Sequence, residues 1–367
     1  MAKKAAKKVA NKPATKSPKN PSEKSAQTKS GHLAIREDWL ARCNEEVIAP
    51  SLPIVDPHHH LWKRDGHQYF LEELLADTSS GHNIVATVFV ECHAMYRADG
   101  PKEMKPLGEV EFVNGIAAMS ASGTFGPTRA AAGIVGHANL TLGEAVEDVL
   151  AAQVVAAGGR FRGVRHSSPH HADPSARGSS VNAPAGVLGK PSFRAGLKRL
   201  SEMGLSFDAW VYHTQLDELV EVARAVPEAN IIMNHVGGPI GIGPYAGKRD
   251  EVFAHWRDGI HKVASCPNVS VKLGGLGMRL FGFDVHSGAE PPTSRELAAA
   301  WGPYIETCIE AFGAERAMFE SNFPVDKGSC SYSALWNAFK RIASGASAQE
   351  KTKLFSATAA RVYRLAI

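Results

Sequence analysis

The stretch Pro53-Ile54-Val55-Asp56-Pro57-His58-His59-His60-Leu61-Trp62 guides the interpretation of the whole chain. An apolar run that ends at a proline is typical of a short buried strand rather than a helix. Because side chains alternate along a strand, His58 and His60 face one way and His59 faces the other. Two imidazoles on one face, beside the carboxylate of Asp56, are groups that a divalent metal ion prefers. The same pattern also fits polar residues in a turn after a strand, so both interpretations stay open here.

Seven further short apolar runs follow, and helical patterns separate most of them. The runs cover residues 84–90, 133–138, 161–166, 205–211, 230–235, 268–273 and 316–321. Short buried strands that alternate with helices predict an α/β fold, a (β/α)8 TIM barrel. The long gaps after the second, fourth and seventh strands predict insertions in the βα loops. An open doubly wound sheet is the alternative, but no glycine-rich nucleotide loop follows any strand.

The charge of the chain is divided unevenly between its start and the remainder. Residues 1–34 contain nine Lys, no Arg and one acid, Glu23, which gives +8 and leaves −4 for the rest of a chain whose net charge is +4. We expect residues 1–34 to be a disordered Lys-rich tail and residues 35–367 to be one barrel domain. A Lys-rich arm can contact nucleic acid, but a solvated extension is the favoured interpretation.

Composition also indicates a cellular compartment and the classes of partner to expect. The sequence shows neither a membrane span of about 20 apolar residues nor a secretory signal. Its five cysteines are scattered, without a C-x-x-C pair, which fits reduced thiols in a cytoplasmic protein. No membrane partner is expected, nucleic acid is disfavoured, and a homo-oligomer stays open.

Polar residues that suit chemistry fall at the ends of the predicted strands. They are His58, His60, Glu91, His93, His137, Arg165, His166, His213, His235, Lys272, Glu320 and Asn322. In a barrel these strand ends converge on one site. Each histidine alone is more often a hydrogen-bonded structural residue, but together they predict a polar mouth that is able to bind metal.

The chain resembles the amidohydrolase superfamily, in the amidohydrolase-2 branch that contains pyrone-dicarboxylate lactonase and sugar-acid lactonases. The residues that carry the resemblance are Val55-Asp56-Pro57-His58-His59-His60-Leu61-Trp62, Gly163-Val164-Arg165, Asn234-His235-Val236-Gly237-Gly238-Pro239, Val271-Lys272-Leu273-Gly274-Gly275 and Phe319-Glu320-Ser321-Asn322-Phe323-Pro324. The resemblance implies a barrel hydrolase that acts on a lactone or a related carbonyl compound. It extends over all of the chain except the tail.

The resemblance also implies roles for particular residues. His58, His60 and His235 are expected to line the site, where some members of the branch hold one zinc ion and some lactonases work without metal. Arg165 is expected to bind a carboxylate of the substrate. Arg279 is expected to assist it, although the loop before this residue differs in length from that of the family.

One motif departs from the family pattern. The family reads Gly-Ser-Asp-Trp-Pro at the eighth strand and uses the Asp as metal ligand and general base, whereas this chain reads Glu320-Ser321-Asn322-Phe323-Pro324. An amide cannot accept a proton at neutral pH, so Asn322 cannot perform the role of that Asp. We expect Glu320, two residues earlier on the same strand face, to supply the acid/base function. Asp326 is the rival, and loss of hydrolysis is the remaining alternative.

The leading hypothesis is therefore hydrolysis of a small carboxylated lactone or similar cyclic ester. Water would be activated either by a divalent ion, most readily zinc, or by a carboxylate alone. Arg165 would clamp the substrate carboxylate, with Lys272 and Asn322 also contacting the substrate. A metal-dependent non-oxidative decarboxylase of an aromatic or unsaturated acid is the first alternative. A non-catalytic barrel tethered by its basic tail is the second.

Overall fold

The computed structural model describes residues 32–64, 66–178 and 181–367, so residues 1–31 of the predicted tail lie outside the described residues. Eight parallel strands form one sheet in chain order. They are β1 (Pro53–His59), β2 (Asn83–Val90), β3 (Arg129–Gly136), β4 (Phe161–Arg165), β5 (Ser206–Ala209), β6 (Asn230–Met233), β7 (Val269–Leu273) and β8 (Ala317–Phe319). A parallel bridge between His59 and Phe323 joins the first strand to the chain after the last. The predicted TIM barrel is confirmed.

Helices connect most of the strands and surround the barrel. They are α1 (Glu37–Leu40), α2 (Leu71–Thr78), α3 (Leu107–Ala121), α4 (Val146–Ala156), α5 (Pro191–Glu202), α6 (Leu216–Ala225), α7 (Arg249–Ala264), α8 (Ser294–Phe312), α9 (Tyr332–Ile342), α10 (Ala348–Thr352) and α11 (Thr358–Val362). Capping boxes formed by Thr293 with Glu296 and by Ser347 with Glu350 begin α8 and α10. Within the described ranges, no helix combines the length and the apolar character that crossing a bilayer requires.

Two groups of buried residues separate the inside of the barrel from its outer layer. Val88 and Val90 belong to a small group that also contains Val55 and Met318, whereas Phe89 belongs to the large group that packs under the helices. Since neighbouring residues of a strand face opposite sides, the small group is the barrel interior. The polar residues at the strand ends therefore lie above an apolar barrel interior.

The segment before β1 contains one short helix. Of residues 35–48, only Glu37–Leu40 is helical. Side chains of α9 bind the following backbone instead: Asn337 accepts a hydrogen bond from the amide of Ile48 at 2.8 Å, and Lys340 Nζ donates to the carbonyl of Ala49 at 2.9 Å. These tertiary hydrogen bonds replace the ones that a helix would have made.

Two helical glycines allow a matched test of the packing. A Cβ at Gly196 in α5 would overlap the backbone carbonyl of Leu140, whereas a Cβ at Gly115 in α3 would meet nothing within 4 Å. We expect Gly196→Ala to reduce the free energy of unfolding by about 1–3 kcal/mol, because the backbone cannot move aside easily. Gly115→Ala should raise it by about 0.5–1 kcal/mol, because alanine favours the helix. Urea unfolding of both variants measures these two changes in the free energy of unfolding, and equal changes would contradict this packing.

Candidate active site

The carboxylate of Glu320 lies where the ends of three strands meet, just beyond β8. Its Oε1 accepts hydrogen bonds from the ring Nδ1 of His235 at 2.7 Å and from the His235 amide at 3.1 Å. Its Oε2 lies 2.6 Å from Nδ1 of His58, and all three side chains are buried. Residues far apart in the sequence therefore form one cluster of two imidazoles and a carboxylate.

The third histidine at the end of β1 faces the same region. The ring of His60 lies 4.9 Å from that of His58, and its Nδ1 is 2.7 Å from the carbonyl oxygen of Val90. A ring nitrogen that donates to a carbonyl leaves the other nitrogen as an acceptor. The indole of Trp62 stacks on His60, with ring centres 5.6 Å apart. His60 thus keeps Nε2 as its acceptor nitrogen and lies beside an aromatic ring.

The backbone around the cluster is shaped to let these side chains approach. A Cβ at Gly274 would overlap the backbone of Glu320, and a Cβ at Gly275 would overlap the ring of His235. His235 and Asn322 both have left-handed backbone, with φ of 52° and 56°. Non-glycine residues rarely adopt this conformation, and those that do cluster at functional sites. The two glycines after β7 are therefore required by the close approach of this segment to the ends of β6 and β8.

Two cations flank His58, and each is paired with its own carboxylate. Lys272 Nζ lies 2.7 Å from Oδ2 of Asp208 and 3.3 Å from Nδ1 of His58. Arg165 Nε donates to Oε1 of Glu91 at 2.7 Å, and its Nη1 lies 3.4 Å from Nε2 of His58. Burial, and then the charge of Lys272, holds the pKa of His58 well below its ordinary value. His58 is therefore neutral at physiological pH.

The rival base, Asp326, lies in a separate hydrogen-bonded position. Its Oδ1 accepts from Asn322 Nδ2 at 2.8 Å, and its Oδ2 accepts from the amide of Gly277 at 2.9 Å. Burial raises the pKa of Asp326 to about 8. The side chain is fully buried and does not line the pocket described below. Arg279 is exposed in the turn Arg279–Phe281 and does not line it either.

A small pocket of about 90 Å³ opens above the cluster. It is lined by His32, His60, Trp62, Arg64, Glu91, Cys92, His93, Arg165, Ser167, Gly178, Val181, Trp210, His235, Met278, Asn322 and Val325. Glu320 and His58 do not line this pocket, whereas His60 and His235 do. The pocket therefore reaches Glu320 through His235, which binds it.

Sequence reasoning missed two residues of this region. Asp208, the partner of Lys272, also accepts hydrogen bonds from the hydroxyl of Tyr363 at 3.0 and 2.9 Å. A carboxylate inside an apolar strand was the available signal for Asp208. Arg64 lies over the ring of Trp62 at 3.9 Å in a ribbon of the strands Trp62–Arg64 and His67–Tyr69. No sequence pattern pointed to Arg64, because the ribbon lies outside the regular alternation of strand and helix.

Comparison with known proteins gives consistent matches over nearly the whole chain. The amidohydrolase family model matches residues 55–365. An uncharacterized protein of Sinorhizobium fredii, y4mH, is 34% identical over 337 residues, which cover 86% of this chain and 99% of that protein. An L-fucono-1,5-lactonase of Burkholderia ambifaria is 25% identical, covering 74% of this chain and 81% of the lactonase. A zinc-containing amidohydrolase structure from Burkholderia multivorans covers 85% of this chain and 99% of its own, with a TM-score of 0.64 and 23% identity.

The buried ion pair under the site allows a stability test. We expect Lys272→Met to lower the free energy of unfolding by about 3–5 kcal/mol, because Asp208 would be left buried without the cation that pairs with it. The double variant Lys272→Met/Asp208→Asn should recover part of that loss. Lys262→Met, which breaks the exposed pair between Lys262 and Asp217, should cost at most about 1 kcal/mol. Equal losses at the two lysines in urea unfolding would contradict the interpretation.

Glu109 gives a pH test of the backbone beside the pocket. Its Oε1 accepts from the amides of Cys92 at 3.0 Å and Ala94 at 2.8 Å, and burial, followed by Glu91, raises the pKa of Glu109 to about 8. A raised folded pKa means that stability is complete below the ordinary pKa of 4.5 and is lost as pH rises through about 8. Urea unfolding between pH 5 and 9 should show a larger loss in the native protein than in Glu109→Gln. Parallel curves would contradict this.

Proposed function

The chain belongs to the amidohydrolase family of hydrolases, and from that premise we propose that it hydrolyses a small lactone. The observation that carries the proposal is the cluster of His58, His235 and Glu320 directly beneath a pocket that His235 lines. Such a cluster can take a proton from water and return it to a leaving oxygen, which is the proton transfer that ring opening needs.

The names of two relatives support the lactone as substrate class. Two Burkholderia proteins that match this chain at 28% and 25% identity are named L-fucono-1,5-lactonases. We propose by analogy a cyclic ester of a sugar acid or a similar small carboxylated lactone. The pocket volume of about 90 Å³ favours a small molecule over a polymer.

His235 is the base that the geometry favours. Glu320 accepts the proton of Nδ1, and this fixes the tautomer that leaves Nε2 as the acceptor on the pocket side. Burial lowers the pKa of His235, while Glu320 opposes this effect, so the ring is neutral and able to accept a proton. Nε2 takes a proton from water as the water oxygen bonds to the lactone carbonyl carbon. The ring ester bond then breaks, and the leaving oxygen receives that proton.

The residues present also fit a divalent metal ion. The ligand atoms of His58, His235 and Glu320 lie within 4.8 Å of one another, and buried Oε2 of Glu320 has no hydrogen-bond partner among the described residues. Two imidazoles and one carboxylate are a donor set that zinc prefers. These three residues would hold the ion, which when bound would supply a Lewis acid for the substrate carbonyl. His60 lies beside the set without belonging to it.

Other pocket residues are suited to position the substrate. The Nε of Arg165 donates a hydrogen bond to Glu91, and its Nη1 lies beside His58. Arg165 therefore stabilises the cluster and also faces the pocket. Arg64 is half-buried in the pocket wall and adds a second positive charge for a substrate carboxylate or hydroxyl. Trp210 packs edge-on against His235 with ring centres 4.8 Å apart and shields it from water.

The test compares Glu320→Gln with the native protein on a panel of lactones. The panel contains sugar-acid 1,5- and 1,4-lactones, including L-fucono-1,5-lactone, and 2-pyrone-4,6-dicarboxylate as the carboxylated member. We expect the native protein to open at least one member, and the substitution to lower kcat by about 100- to 10,000-fold, because an amide lacks the negative charge that stabilises the protonated His235 ring. Acid release, followed with a pH indicator, is the measurement.

Two controls make the outcome specific. Glu310→Gln, on the exposed face of α8, should leave kcat unchanged, and circular dichroism should show that Glu320→Gln is folded. Assays with and without a chelator, together with metal analysis, separate hydrolysis by the side chains from hydrolysis that needs an ion. No lactone opening, or carbon dioxide release from an aromatic acid instead, would overturn the proposal.

A further inference from the structure

A second group of metal-binding side chains lies at the edge of the pocket, away from His58 and Glu320. It consists of Glu91, His93 and His137, at the ends of β2 and β3, and is called the rim cluster here. We infer that the rim cluster binds one divalent cation of the kind that prefers imidazole nitrogen, such as Zn²⁺ or Co²⁺. This inference does not depend on the proposed lactone hydrolysis.

The ligand atoms of the rim cluster are close enough to share one ion. They all lie within 4.8 Å of one another. Oε2 of Glu91 is 3.3 Å from Nδ1 of His93, yet this buried oxygen has no hydrogen-bond partner among the described residues. A buried carboxylate oxygen without a partner is costly, and a cation placed there removes that cost.

The ring of His137 is oriented as a metal ligand requires. Its Nδ1 lies 3.0 Å from the backbone carbonyl of Arg165. Donation to a carbonyl fixes the proton on Nδ1 and leaves the lone pair of Nε2 for a ligand. Metal-binding histidines are commonly held by such a hydrogen bond, so this ring is ready to coordinate.

The backbone at His93 is held in an uncommon conformation. His93 has a left-handed φ of 63°. The amides on either side of it, Cys92 and Ala94, both donate to Oε1 of Glu109, at 3.0 and 2.8 Å. A strained residue that is fixed on both sides has its side chain directed by the fold. Here the ring is directed beside Glu91.

Orientation of Arg165 is the competing explanation for Glu91. That role uses Oε1, which accepts from Arg165 Nε, and the backbone carbonyl of Glu91, which accepts from Nη2. It gives no role to Oε2 or to the two imidazoles. A cation at Oε2 uses all three groups. Because Glu91 and His93 line the pocket, the cation would also face the substrate and could bind a hydroxyl or carboxylate oxygen.

The experiment titrates Co²⁺ into the metal-stripped full-length protein, with isothermal calorimetry and visible absorption as readouts. It is carried out on Glu320→Gln protein so that the first cluster is disabled. We expect this protein to bind one Co²⁺, and the added substitution His93→Asn or His137→Asn to weaken binding at least tenfold. Asn is chosen at residue 93 because it tolerates left-handed backbone.

The control is His255→Asn, which removes an exposed histidine of α7 and should leave Co²⁺ binding unchanged. Circular dichroism checks the fold of every variant. Absence of Co²⁺ binding by the Glu320→Gln protein would overturn the inference, as would undiminished binding in both rim variants. Failure of lactone hydrolysis would leave this result unaffected, because the readout is metal binding.

Discussion

The carboxylate of Glu320 is the constraint on which the site depends. A buried carboxylate needs donors, and here His235, at the end of β6, donates to one oxygen while Nδ1 of His58, in β1, lies 2.6 Å from the other. The same strand end closes the barrel, since the Asn322 amide donates to the carbonyl of His58 at 2.9 Å and the His60 amide donates to Phe323 at 2.8 Å. Barrel closure and assembly of the cluster of His58, His235 and Glu320 are therefore one structural event.

Charge is distributed so that the cluster keeps a single negative group. Lys272 is neutralised by Asp208 and Arg165 by Glu91, although both cations lie beside His58. Across the part of the chain that the structure describes, Glu320 has no Lys or Arg at ion-pair distance, and its close partners are imidazoles. Burial, with a smaller effect of the neighbouring cations, lowers the pKa of both imidazoles and keeps them neutral, while the paired carboxylates prevent excess positive charge. Neutral imidazole beside carboxylate is the state that can accept a proton.

The barrel could be predicted because its signals are local. Apolar runs at strand spacing and helical patterns between them identified the eight strands, and the position of His58 and His235 after such runs placed both at one mouth. The ion-pair partner of each charged side chain could not be predicted, because it depends on the directions of side chains across the barrel. Nothing local indicates that Arg165 is engaged by Glu91, or that Lys272 turns toward Asp208.

At the eighth strand, the residues that differ from the family pattern depend on one another, and they are not simply a disrupted motif. Asn322, which stands where the resembling family has Asp, donates to Asp326 at 2.8 Å in a buried environment. An Asp at that position would bring two buried carboxylates together, and one of them would have to stay protonated. The amide removes that repulsion. Glu320 then brings a carboxylate from two residues earlier to the histidines, and Gly274 provides the space that its backbone needs.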